Sequence, residues 1–218
     1  MFNKKLNKKL LSALVDYGYE SENEFQSKCL PKINGGHDLI GVGPTLSGKT
    51  TLISIATIQK LEKAFEDAPR ALILVANKEK AIALKDQFDL LAKNTDLRSV
   101  CVFEEGKINE QSGEIYFGTD LVIGTAQRIL EIYFERNLNL NKIKLFVIDD
   151  AQMMIKNSWQ GQVDRLALSL PKCQHLVFSN ELNGKIEKLI SKFIFNCLNL
   201  IWFINYSFLN FSIIILKI

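Results

Sequence analysis

A three-layer α/β domain, with a mainly parallel β-sheet and helices on both faces, is predicted by three observations. Short apolar runs rich in β-branched residues recur along the chain, and segments with helical spacing separate most of them. The apolar fraction of 47% over 218 residues supplies enough material for a sizeable core. In order, the runs are Asp38–Val42, Ala71–Val75, Leu121–Gly124, Lys144–Ile148 and His175–Ser179. The helical candidates are Asn3–Tyr17, Glu24–Ile33, Lys49–Phe65, Lys78–Lys93, Ala126–Glu135, Ser158–Leu170 and Leu182–Lys192. In such folds ligand sites lie outside the carboxyl ends of the strands, so the residues after each run carry the functional weight.

Composition narrows the function classes without choosing one. A net charge of +3 is too small to argue for a polyanion partner, so a nucleic-acid claim must rest on particular residues. Cys29, Cys101, Cys173 and Cys197 lie far apart and form no C-x-x-C pair. That speaks against a zinc site or a disulfide framework and makes the reducing cytoplasm the expected compartment. Lys4, Lys5, Lys8 and Lys9 precede no apolar stretch of signal-peptide type and read as a solvated helix face. Residues 1–193 read as one globular domain and 194–218 as an apolar tail, because Phe193 to Leu216 carries no charge. The tail is long enough to cross a bilayer, but Asn196, Asn199, Asn205 and Asn210 make it a poor spanning helix. A truncated or spurious terminus, a membrane anchor, and a core or partner-binding element stay open for it.

The clearest chemistry follows the first run. Gly43 to Thr50, GPTLSGKT, matches G-x-x-x-x-G-K-[ST] between an expected strand and an expected helix. Such a loop wraps phosphates with the backbone of Gly43, Pro44, Thr45, Leu46, Ser47 and Gly48 and the start of the helix. Lys49 is expected to meet the β and γ oxygens and Thr50 to hold Mg²⁺, with Thr51 beside them. The expected ligands are therefore a nucleotide's phosphates and Mg²⁺. The fourth run ends in two carboxylates within LFVIDDAQMM, Leu145 to Met154. Carboxylates at the end of an apolar strand are costly unless a cation compensates, so Asp149 is expected to hold the metal and Asp150 to serve the attacking water. Lys49, Asp149 and Asp150 are the candidate catalytic set.

With these elements in place, about residues 2–192 resemble the first RecA-like domain of a DEAD-box RNA helicase. The family's G-F-x-x-P-T-x-I-Q segment corresponds to GYESENEFQ, Gly18 to Gln26, which implies that Tyr19 and Gln26 lie at the adenine. Its A-x-T-G-x-G-K-T loop corresponds to Gly43–Thr50, with Leu46 in place of a glycine. P-T-R-E-L-A corresponds to ANKEKA, Ala76 to Ala81, and T-P-G-R to TAQR, Thr125 to Arg128. The resemblance implies RNA-backbone contacts from Asn77, Lys78, Glu79, Thr125 and Arg128. D-E-A-D corresponds to DDAQ, Asp149 to Gln152, and S-A-T to SNE, Ser179 to Glu181. The implied fold is a RecA-like P-loop domain, and the implied function is ATP-dependent binding of single-stranded RNA.

The departures bear on activity. Asp150 stands where the family has a glutamate, and a side chain shorter by one bond, ~1.5 Å, can cost about 10²-fold in rate. Hydrolysis should thus be slowed more than binding. Gln152 and Glu181 replace the Asp and Thr that couple the ATP site to strand separation, and Lys78 keeps an arginine's charge without its bidentate geometry. The residues after Glu181 are too few for a second RecA-like domain. The stretch alone is therefore expected to be a slow ATPase at best and not to unwind, with a protein partner supplying the second domain. Two alternatives are a non-catalytic interaction module on the same fold and a thymidine-kinase-like enzyme, the latter disfavoured by the wide spacing of its two elements. His37, His175, Trp159 and Trp202 read as structural, with no acidic or cysteine neighbours at ligand spacing around the histidines. The polar segment Glu104–Glu114 is a candidate contact loop, where the family often has a glycine pair.

Overall fold

The structure, a computed structural model, describes residues 6–65, 68–194 and 200–202. Among the described residues seven strands form one parallel sheet: β1 (Leu39–Val42), β2 (Ala71–Val75), β3 (Ser99–Val102), β4 (Leu121–Thr125), β5 (Leu145–Ile148), β6 (Gln174–Ser179) and β7 (Leu200–Trp202). Their order across the sheet is β3-β4-β2-β5-β6-β1-β7. All five expected strands are present.

The period of two along each strand sorts side chains to opposite faces and builds two cores. Ile73, Val75, Ile123, Val147 and Phe178 pack under α1 (Lys8–Asp16), α2 (Glu24–Asn34), α3 (Lys49–Leu61) and α4 (Lys78–Ala92). Leu72, Leu74, Val122, Phe146 and Val177 face α5 (Ile108–Tyr116), α6 (Ala126–Phe134), α7 (Ala151–Lys156), α8 (Gln160–Ser169) and α9 (Gly184–Ile190). Strands covered on both sides have no polar face to present, which is why β2, β4 and β5 are buried throughout.

The sequence missed β3, α5 and α7. β3 is a four-residue edge strand whose burial alternates, so it lacks the continuous apolar signal of the central strands. α5 begins inside the polar segment expected to be a loop and runs past its end at Glu114, and only Gln111, Ser112 and Ile115 of it are buried. α1 begins at Lys8 because the Asn7 side chain accepts from the Lys9 N–H and caps it. Lys8 and Lys9 are exposed, as the solvated-face reading requires, whereas Lys4 and Lys5 lie outside the described residues. β7 pairs with β1, so the sheet runs past the boundary expected at residue 193. The rest of the expected tail from residue 195 on lies outside the described residues, and among those described no helix is long and apolar enough to cross a membrane.

Candidate functional site

The register aligns the carboxyl ends of three neighbouring strands: Val42 lies opposite Ser179, and Ile148 opposite Val177. The chain leaving β1 is tied to β6 by the Gly43 N–H, which donates to the Ser179 carbonyl at 2.9 Å. It then turns into α3 through Gly48, whose φ of 85° belongs to the left-handed region. Asn23 and Gln26, the capping box of α2, support this turn from outside: Asn23 Nδ2 donates to Ser47 O at 3.1 Å and Gln26 Nε2 to Gly48 O at 3.2 Å. A Cβ on Gly48 would come within 2.6 Å of Asn23 Nδ2 and 2.7 Å of Gln26 Nε2, so glycine is required by space as well as by φ.

Gln26 therefore has a role the resemblance did not imply. It is buried, and its Oε1 accepts from the Asn23 N–H at 3.0 Å, so one N–H and one lone pair of its amide remain for an adenine. Tyr19 packs against the α1–α4 core, and its hydroxyl accepts from Gln87 Nε2 at 3.3 Å. Neither residue lines the phosphate cavity.

Leu46 is fully solvated at 97% exposure and holds φ of 68°. A left-handed conformation costs a residue with a Cβ about 1–2 kcal/mol. Leu46→Gly should therefore stabilise the domain by about 1 kcal/mol after the larger unfolded-state entropy of glycine is offset, raising the thermal midpoint by ~2–4 °C. Leu46→Ala should leave the midpoint unchanged, and a fall on Leu46→Gly would refute the strain.

A cavity of about 570 Å³ opens above the loop, lined by Thr45, Gly48, Lys49, Thr50, Asp149 and Asp150 among others. Lys49 is 8% exposed and its ammonium donates to Gly43 O at 2.7 Å, Pro44 O at 2.9 Å and Asn180 Oδ1 at 2.7 Å. Burial lowers its pKa, against the pull of Asp150 and Asp149. Asp149 is 3% exposed, and burial followed by repulsion from Asp150 pushes its carboxyl up to about 6. Its Oδ1 has no hydrogen-bond partner among the described residues.

A buried carboxylate oxygen without a donor, on a residue that lines the same cavity as Thr50, fits a hard divalent cation. Among the described residues no three His, Cys, Asp or Glu side chains cluster, so such an ion would take its other ligands from phosphate and water.

Asp150 caps α7 with φ of 56° and is occupied on both oxygens. Oδ1 accepts from Gln152 Nε2 at 3.1 Å, and Oδ2 is 3.1 Å from the Lys80 ammonium. Burial alone would lower the Lys80 pKa, but its hydrogen bond to Asp150 and the charges of Asp150 and Asp149 together outweigh this and raise it. Gln152 Oε1 accepts from Ser179 Oγ at 2.7 Å and from the Asn180 N–H at 3.2 Å. The link from the acidic strand end to β6 thus runs through Ser179, whereas the Glu181 carboxylate takes a bond from Asn183 Nδ2. Sequence reasoning missed Lys80 and Asn180 as cavity residues, since each meets its partner only across the fold.

The residues expected to touch nucleic acid gather at the ends of β2, β3 and β4, beside the cavity. Asn77 caps α4 through the Lys80 N–H, Glu79 is exposed, and the Lys78 ammonium sits 5.2 Å from the Phe103 ring centre. Thr125 and Arg128 differ from expectation. The Thr125 hydroxyl donates to Glu104 Oε2 at 2.8 Å, and the buried Arg128 guanidinium donates to Glu104 O, Gly106 O and Gln111 Oε1. Arg128 thus shapes the loop after β3 from within, and Glu104 sets a negative charge against Thr125.

His175 also differs from expectation, because the fold brings an acid and a thiol to it. Its backbone N–H donates to Asp38 Oδ1 at 2.7 Å, and Cys173 Sγ lies 3.8 Å from its Nε2. Burial pushes the Cys173 thiol up to about 11, away from the thiolate form that a nucleophile or metal ligand needs.

Known proteins share this fold. The profile of the DEAD/DEAH box helicase family matches residues 23–189. The ATP-dependent RNA helicase dbp10 of Emericella nidulans is 34% identical over 179 residues, 81% of this chain and 19% of the relative. The probable ATP-dependent RNA helicase ddx52 of Dictyostelium discoideum is 29% identical over 85% of this chain and 28% of the relative. A DEAD box protein from Methanococcus jannaschii superposes with a TM-score of 0.84 at 25% identity, over 92% of this chain and 55% of that one. S. cerevisiae dbp5, in a structure bound to gle1 and ip6, gives a TM-score of 0.80 at 23% identity, over 92% of this chain and 51% of that one. The chain thus spans less than a third of the length of these curated relatives and about half of these solved chains. Because the family profile covers most of the chain, from residue 23 to 189, this chain belongs to the DEAD/DEAH box helicase family.

Proposed function

We propose that this domain binds Mg·ATP in the cavity above α3 and single-stranded RNA along the ends of β2, β3 and β4. The observation that carries the reading is the convergence of Lys49, Thr50, Asp149 and Asp150 on one cavity. Lys49 and the N–H groups opening α3 would hold the phosphates, while Thr50 and Asp149 would hold Mg²⁺, which neutralises charge on the β and γ oxygens. Asp150 would orient the attacking water, yet both its oxygens are engaged by Gln152 and Lys80 and its side chain is short. Hydrolysis by this domain alone is therefore slow, and it rises when a second RecA-like domain brings cations to the γ-phosphate. Unwinding belongs to that closed pair. RNA binding is weak, because Glu104 opposes the phosphates that Lys78 attracts. The cytoplasm suits the three described cysteines, all free thiols.

Calorimetric titration with ATP at millimolar Mg²⁺ tests the reading, and a flat titration would reject it. The internal engagement of Thr125 and Arg128 favours a second reading, an interaction module without nucleotide chemistry, and that flat titration is its expected result. The thymidine-kinase-like alternative gives way to the family match. Asp150→Glu should raise basal ATP hydrolysis on the order of tenfold or more, because the longer carboxylate reaches the water. Turnover equal to or below that of the parent protein would show that reach does not limit the rate.

A further inference from the structure

We infer that Asn180 reads the γ-phosphate and makes this site select nucleoside triphosphate over diphosphate; the inference rests on the ATP-binding reading above. Asn180 follows β6, the strand between β5 with its acidic end and β1 with the phosphate loop, so its side chain enters the cavity between the two. Its position is fixed at two points. Its backbone N–H donates to Gln152 Oε1 at 3.2 Å, and its Oδ1 accepts from the Lys49 ammonium at 2.7 Å.

Those contacts orient the amide. An ammonium only donates, so the oxygen must face Lys49 and the NH₂ group must point away from it. Among the described residues no protein acceptor bonds that NH₂ group, which leaves two donors at the cavity wall. Thr50, Lys49 and Asp149 mark the β and γ oxygens, and Asp150 marks the side from which water attacks. Asn180 is joined to Lys49 directly and to Asp150 through Gln152. Its donors therefore lie at the γ end of the phosphate row, away from the loop backbone that wraps the α and β groups. A diphosphate leaves them unused, and a triphosphate gives them an anionic acceptor.

The test compares Mg²⁺-loaded affinities for the β,γ-imido analogue of ATP and for ADP, by calorimetry, in the parent protein and in Asn180→Ala and Asn180→Asp. Loss of one charge-assisted hydrogen bond predicts an analogue affinity about tenfold weaker in Asn180→Ala, with ADP affinity within about twofold of the parent. Asn180→Asp keeps an acceptor for Lys49 but removes the donors and adds repulsion, so it should discriminate against the analogue at least as strongly as Asn180→Ala. Equal losses for both nucleotides would mean that Asn180 serves only to hold Lys49, and unchanged affinities would mean that it does nothing; either overturns the inference. A parent protein that binds ADP and the analogue equally would also overturn it while leaving the ATP site standing. A parent protein that binds neither removes both readings.

Discussion

Asp120→Ala is expected to cost about 3–5 kcal/mol of folding stability, a large share of the ~5–15 kcal/mol typical of a domain. Asp120 is fully buried just before β4, and its two oxygens are used from four directions. Oδ1 accepts from Arg70 Nη2 at 2.8 Å and from the Phe65 N–H at 3.1 Å. Oδ2 accepts from Arg98 Nε at 3.0 Å and from the Arg98 N–H at 3.1 Å. Arg70, itself 5% exposed, precedes β2, and its backbone N–H donates to the Asp120 carbonyl, so the pair clasps neighbouring strands at the end of the sheet opposite the cavity. Alanine would leave a buried guanidinium without its counter-charge and two N–H groups without acceptors, which is the costly way to break an ion pair. Burial alone would raise the Asp120 pKa, but hydrogen bonds from Arg98 and Arg70 outweigh it and hold the carboxyl below its usual 3.8. The contribution is therefore fully present above that unfolded value and is lost as pH falls through the lower folded one. Urea denaturation should show the full deficit at neutral pH and a narrowing gap between parent and variant below about pH 4. A deficit under about 1 kcal/mol at neutral pH would mean that water replaces the clasp.

This clasp also marks where the sequence stops being legible. β2, β4 and β5 could be read because strands covered on both faces are continuous apolar runs, and the phosphate loop because its chemistry sits on adjacent residues. Nothing local distinguishes Arg70 from a solvated arginine, since its acid lies 50 residues away. The same holds for Lys49 and Asn180, 131 residues apart, and for Arg128, which looks like an RNA-facing cation until the loop after β3 is seen folded onto it. Gln26 is different. Asn23 and Gln26 carry the spacing of a capping box, so an internal role for that amide was readable and the resemblance drew attention past it.

Lys49→Ala should weaken both ATP and ADP binding by about 10²-fold or more while leaving the domain folded. The ammonium is held by two loop carbonyls and Asn180, and it supplies a positive charge against Asp149 and Asp150. Removing it subtracts charge-assisted contacts to phosphate, each worth about 1.5–3 kcal/mol. It also leaves the two carboxylates facing the incoming anion with one fewer compensating cation. Lys49→Arg should not rescue binding, because a planar guanidinium cannot occupy the close cradle of Gly43 O and Pro44 O. The loss of protein contacts is milder: Lys49 itself lines the cavity, so water can take its place beside the freed carbonyls, and the thermal midpoint should move by only a few degrees. Nucleotide titration of the folded variant is the measurement, and unchanged affinity would remove the phosphate loop from the site. Because Lys49 serves β and γ oxygens alike, its loss should lower the affinity for both nucleotides. Asn180→Ala should lower that for the triphosphate alone, so the two variants together separate a cation that binds the phosphate row from an amide that reads its end.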